Sequence, residues 1–185
     1  MRSAFRARRK ALTPADVEEK SRAICEVLME RFTEGVRSVH VFLPIEKNNE
    51  PNLWPLIEAI WDNRPEITVV TSVSHPENRS MSHFVLTKET ELRLNNLLIP
   101  EPVGAVAIDP EKLDMVMVPL LAYDRTGARV GYGQGYYDKF LASVPGAMRV
   151  GISFFEPVDQ IADAEPHDVR LDCCIFPEAV CFFED

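Results

Sequence analysis

Gly131, Gly133 and Gly135 fall at every second position between Arg129 and the pair Tyr136-Tyr137, and Asp138 follows at once. Glycine tolerates positive φ and lets other groups approach the backbone closely, so successive N–H groups can line up on an anion. A helix starting just behind them adds the partial positive charge of its N-terminus. Arg129 adds a full charge. Tyr132, Tyr136 and Tyr137 can stack on a heterocycle and still offer a hydroxyl. Asp138 supplies the carboxylate oxygen that Mg²⁺ takes together with substrate phosphates. The chemistry implied is phosphate binding beside an aromatic ligand. The run is not a Walker loop, because no Gly-Lys-Ser/Thr follows, and the glycine spacing is not the dinucleotide G-x-G-x-x-G. Taken alone, the three glycines serve a ligand-free hairpin or bulge as readily as a phosphate loop.

Such a segment must be held by regular elements. The nearly continuous apolar run Leu113 to Leu121 predicts a buried strand. Asp124-Arg125-Thr126-Gly127 predicts a turn, and a helix is predicted from Tyr136 to Ser143. The carboxyl end of a strand in an open α/β sheet is where ligands sit. Thr13 can cap a helix with Pro14 in its first position, and Val17, Ile24, Leu28 and Phe32 form one apolar stripe before Gly35. A second helix is predicted from Asn52 to Trp61, with Pro55 confined to its first turn and Arg64-Pro65 breaking it. Further strands are predicted over Val36 to Leu43, Ile67 to Val73, His83 to Leu86, Arg149 to Phe155 and Ala179 to Phe183. Adjacent Cys173 and Cys174 would point to opposite faces of a strand. The alternation predicts an α/β fold: a three-layer sandwich, a mainly parallel sheet with helices on both faces, in a single domain over 1–185.

Composition narrows the partners. The chain has 185 residues, 46% hydrophobic and 26% charged, an ordinary globular balance. A formal net charge of −9 argues against nucleic acid or an anionic membrane as partner, and an anionic small ligand would need a local basic pocket. No pair among the four cysteines has the C-x-x-C spacing of a zinc or redox site, and reduced thiols fit a cytoplasmic protein. The basic N-terminus is not followed by the apolar stretch of a secretory signal. The longest mostly apolar run, Met115 to Tyr123, is too short to span a bilayer. A monomer is the default for an acidic single domain.

The whole run Asp124-Arg125-x-Gly127-x-Arg129-x-Gly131-x-Gly133-x-Gly135-Tyr136-Tyr137-Asp138, after an apolar strand and Pro119, resembles the signature of the 5-formyltetrahydrofolate cyclo-ligase family. The similarity extends more weakly to the basic first helix, to Val39 to Leu43 with Glu50 after it, and to Glu165-x-His167-Asp168-Val169-x-Leu171-Asp172. The resemblance implies an ATP- and Mg²⁺-dependent closure of 5-formyltetrahydrofolate to 5,10-methenyltetrahydrofolate, through a phosphorylated formyl group attacked by N10. It implies that Arg129, Val130, Gly131, Tyr132, Gly133, Gln134, Gly135, Tyr136 and Tyr137 bind ATP, with Arg129, Tyr136 and Tyr137 at the reacting centre. It implies that Asp138 and Asp168 hold the metal, with Asp172 as the local competitor of Asp168. Leu43, Glu50, Met81, Tyr132 and Tyr136 would contact the folate. The family opens with a lysine and, four residues on, an arginine, both facing ATP. Arg2 matches the arginine, while the lysine position falls ahead of Met1, so the start is shortened or Arg6 or Arg9 takes the lysine's place. Two other readings stay open on these residues: a phosphosugar isomerase-like enzyme on a related fold, and a non-catalytic nucleotide- or folate-binding protein.

Overall fold

The computed structural model describes residues 1–96, 98–162, 165 and 168–183. His167 of the acidic motif lies outside them. The helices are α1 (Arg2–Lys10), α2 (Pro14–Arg31), α3 (Trp54–Asn63) and α4 (Tyr136–Ser143). The strands are β1 (Ser38–His40), β2 (Thr68–His75), β3 (Ser80–Val85), β4 (Glu91–Leu94), β5 (Pro100–Val103) and β6 (Met115–Pro119). They continue with β7 (Ala122–Tyr123), β8 (Arg129–Val130), β9 (Met148–Ile152), β10 (Cys173–Phe176) and β11 (Ala179–Phe182).

A seven-stranded sheet runs in the order β11-β10-β9-β6-β1-β2-β3. The five inner strands pair in parallel, and β3 and β11 close the two edges antiparallel. The period-two alternation of a strand assigns its residues to two layers. Met115 and Met117 of β6 pack in one core with Ile24 and Leu28 of α2 and Ile57 and Ile60 of α3. Val116 and Val118 pack in the other with Phe140 and Leu141 of α4. Cys173 joins the first core and Cys174 the second, so the two cysteines do point to opposite faces. The architecture is the expected three-layer sandwich.

Local sequence explains the elements around the cleft. At the start of α2 the Thr13 hydroxyl accepts from the Asp16 N–H at 3.2 Å, and the Asp16 carboxylate accepts from the Thr13 N–H at 2.9 Å. This reciprocal box satisfies two donors that the helix end leaves open. Strand β1 is shorter than its apolar run. Val41 still donates to the Val70 carbonyl at 2.8 Å, but Val41 to Leu43 then leave the ladder and wall the cleft. After β6 the chain forms the β7–β8 hairpin, closed by Asp124, whose Oδ1 accepts from the N–H of Thr126 at 2.8 Å and of Ala128 at 3.2 Å. Its other oxygen accepts from the Ile161 N–H at 2.9 Å, which docks the C-terminal part of the chain. Gly127 completes the turn at φ +78°, where a Cβ would lie 2.7 Å from the Leu171 carbonyl oxygen. The hairpin delivers Arg129 and the alternating glycines to the carboxyl end of β6.

Candidate active site

The carboxyl ends of the parallel strands open into one cleft of about 1460 Å³. A pocket for one drug-sized ligand occupies roughly 300–1,000 Å³, so this cleft has room for two. Every site residue expected from the sequence lines it, from Arg2 and Leu43 through Glu50 and Met81 to Asp138 and Asp168. Its rim also carries Arg6, Lys10 and Lys47, which make a local basic wall on an acidic protein.

One end is built on the glycine segment. Gly133 and Gly135 sit at φ +85° and +74°, the left-handed region where a side chain is strained. Gly135 caps α4, whose N-terminus therefore opens on the cleft. Arg2 reaches across from α1 and donates through Nε to the Gly131 carbonyl at 2.9 Å. Its guanidinium lies so close to Gly133 that a Cβ there would stand 2.9 Å from Cζ. Arg129 is largely buried and forks: one nitrogen meets an Asp138 oxygen at 2.6 Å, and the other donates to the Val169 carbonyl. Asp138 keeps about a third of its side chain exposed. Asp168 accepts from the Glu165 N–H at 2.8 Å and lines the same cleft.

The other end is built on Glu50, which is only 4% exposed. Its Oε2 accepts from the Ile45 N–H at 2.8 Å, and its Oε1 accepts from the Tyr132 hydroxyl. Burial pushes the carboxyl above the ordinary carboxylate range, against the pull of Tyr132, Ile45 and Arg9. Leu43 and Met81 line the same cleft. Burial likewise raises the Tyr132 and Tyr137 hydroxyls, so both stay protonated donors. The burial of Glu50, in a loop, comes from the fold around it.

Arg9 does not stand in for a phosphate-facing lysine. It is 3% exposed and already engaged within the protein, whereas Arg6 lies on the cleft with its guanidinium 5.3 Å from the Tyr132 ring centroid. Of the two candidates, Arg6 is the one placed to face an anion.

A buried polar chain beneath the cleft escaped the sequence reading. His40 Nε2 meets Ser72 Oγ at 2.7 Å, and Ser72 Oγ meets His83 Nδ1 at 2.9 Å. The His40 ring packs edge-on against Phe140 and Tyr137 of α4. Burial, together with the charge His83 would carry, lowers His40 to about 3, and burial lowers His83 to about 4. Both rings are therefore neutral across the neutral range; they hydrogen-bond Ser72 and pack against the aromatic rings of α4.

These features define a class of α/β site: a glycine segment leading into a helix N-terminus and a buried carboxylate, joined through Tyr132 in one large cleft. The chain belongs to the 5-formyltetrahydrofolate cyclo-ligase family, whose model matches residues 1–177. It is 34% identical to the 5-formyltetrahydrofolate cyclo-ligase of Escherichia coli K12 over 140 residues, covering 74% of this chain and 75% of that one. It is 26% identical to the mitochondrial cyclo-ligase of Arabidopsis thaliana over 204 residues, covering 97% of this chain and 74% of that one. The fold is shared with a 5,10-methenyltetrahydrofolate synthetase from Mycoplasma pneumoniae, with TM-score 0.76, 21% identity and 96% of each chain covered. It is shared too with the Aquifex aeolicus synthetase, with TM-score 0.78, 24% identity, and 100% of this chain and 91% of that one covered. The chain is thus an enzyme of the ligase class. Among the described residues no helix is long and apolar enough to cross a membrane.

Proposed function

We propose that this enzyme closes 5-formyltetrahydrofolate to 5,10-methenyltetrahydrofolate with conversion of ATP to ADP and phosphate. The observation that carries the reading is that one glycine segment links two parts of the cleft: Arg129 pairs with Asp138 at its start, while Tyr132 touches the buried Glu50. A folate held at Glu50 and a triphosphate held at the glycines would meet along that segment.

The chemistry needs such a meeting. The N5-formyl group is an amide, and N10 cannot expel its oxygen directly. In the proposed route the formyl oxygen attacks the γ-phosphorus and ADP leaves. N10 then attacks the same carbon and gives up its proton, the C–O bond breaks, phosphate departs with the formyl oxygen and the methenyl ring closes. The protein contributes position and charge. Arg129, the loop N–H groups and the α4 N-terminus stabilise the transferring phosphoryl group. Tyr136 and Tyr137 flank the reacting centre, and Glu50 with Leu43 and Met81 orients the ring system.

No group of three or more metal-binding side chains stands together among the described residues, so no closed protein cage is present there. Mg²⁺ does not require one, because it binds through one or two carboxylates plus substrate phosphates. Asp138 and Asp168 both line the cleft and offer hard oxygen donors of that kind. They would hold the ion, which would neutralise phosphate charge. The four free thiols support a cytoplasmic location, and we read the enzyme as a monomer.

The route is tested by the fate of the formyl oxygen. With 5-formyltetrahydrofolate labelled with ¹⁸O in the formyl group, the released phosphate should carry one label per turnover. Unlabelled phosphate would exclude attack by the formyl oxygen.

A further inference from the structure

We infer that Arg9 is a positioning residue for folate recognition, holding Glu50 and Tyr132 as one unit; this rests on the assignment of Glu50 to the folate subsite. Arg9 is a charged residue with almost no exposed surface, and it joins four segments. Its Nε donates to the Asn48 carbonyl at 2.8 Å, and its backbone carbonyl accepts from the Asn49 amide at 3.2 Å. One terminal nitrogen lies 3.4 Å from the Leu120 carbonyl oxygen, just beyond β6. The other donates to the Tyr132 hydroxyl and stands 3.9 Å from Glu50 Oε1. Tyr132 in turn donates to that same Glu50 oxygen, so Arg9, Tyr132 and Glu50 form a closed triangle.

The triangle has two consequences. First, the Tyr132 hydroxyl is oriented: it receives from Arg9 and therefore gives its proton to Glu50. Second, Arg9 works against the effect of burial on Glu50 and favours its ionised form. The groups facing it are Arg9 from α1, Tyr132 from the glycine loop and, more remotely, Tyr137 from α4, with the Ile45 N–H on its other oxygen. Arg9 is the one cation among them. An ionised carboxylate accepts from the N–H donors of an amino-substituted heterocycle; a protonated one does not. Without Arg9, the carboxyl would take up a proton at higher pH.

Arg9→Met and Arg9→Lys test this by steady-state kinetics, with each substrate varied in turn. Arg9→Met should raise KM for 5-formyltetrahydrofolate about thirtyfold, the loss of one charge-assisted hydrogen bond, with KM for ATP changed less than about threefold. The acid limb of kcat/KM for folate should move up by about one pH unit. Arg9→Lys keeps the charge but loses the fork, so it should return the acid limb to its place while KM for folate stays about tenfold high. Should Arg9→Met fail to fold, the Lys variant alone decides through that split. If the folded variants keep the wild-type KM for folate and the wild-type acid limb, Arg9 serves stability only and the inference is wrong. If the wild-type enzyme itself neither binds nor converts the folate, the assignment beneath it has failed instead.

Discussion

Arg129→Ala should lower kcat about a thousandfold, with the fold retained. A preorganised donor aimed at developing charge contributes that much in enzymes that stabilise an oxyanion or phosphoryl group. Arg129 fits this role because it is almost fully buried and its fork is fixed at both tips, by Asp138 and by the Val169 carbonyl. It needs little reorganisation as charge develops. Asp138 is partly exposed, so losing its partner should cost stability only about 1 kcal/mol. Arg129→Lys should recover no more than about tenfold, since an ammonium cannot reproduce the two-point fixation. Single-turnover phosphate release, with folate and ATP saturating, measures the step directly. A fall of less than about tenfold would remove Arg129 from the reacting centre.

Glu50→Ala should fail in two separable ways. Arg9 would remain buried without its facing carboxylate, and breaking one side of a buried pair costs about 3–5 kcal/mol. Because Arg9 keeps the Asn48 and Leu120 carbonyls and the Tyr132 hydroxyl, the lower end of that range applies. For a domain of this size that lowers Tm by roughly 6–10 °C. Below the new transition, kcat/KM for the folate should fall about a hundredfold, as the hydrogen bonds to the carboxylate are lost. Affinity for ATP, measured by nucleotide titration in the absence of folate, should change little. Equal losses for both ligands would mean that Glu50 shapes the whole cleft and has no special part in the folate end.

Much of this was legible in the sequence where one short segment determines its own geometry. Thr13-Pro14 with Asp16 encodes a helix start, and α2 begins there. The glycines ahead of Tyr136 encode the entry to α4, which spans the expected residues. The strands were harder. Val36 to Leu43 is rich in apolar and β-branched residues, yet only Ser38–His40 pair in the ladder, and Val41 to Leu43 are buried as cleft wall. Apolar character reports burial and does not say against what. In the β4–β5 ribbon, β4 alternates charged and apolar residues over only four positions and β5 carries two prolines, and the two strands support each other in a separate small sheet. The site was legible along the glycine segment and less so at its far end. Glu50 looked like any loop acid because the groups that bury it come from α1 and the glycine loop, 41 and 82 residues away. A signal for Arg9 was present: Phe5 lies one turn before it on the same face of α1, and Phe5 and, just past the helix end, Leu12 pack on the core. A charge in the middle of such a face is held by a partner. The His40–Ser72–His83 chain gives no comparable hint, since it is assembled across β1, β2 and β3.

The central claim is that one cleft couples ATP to closure of the formyl folate. Purified protein with 5-formyltetrahydrofolate and Mg²⁺ should show absorbance rising in the methenyltetrahydrofolate band when ATP is added, and none without it. A rise independent of ATP, or no rise from folded protein with all three present, would contradict the account.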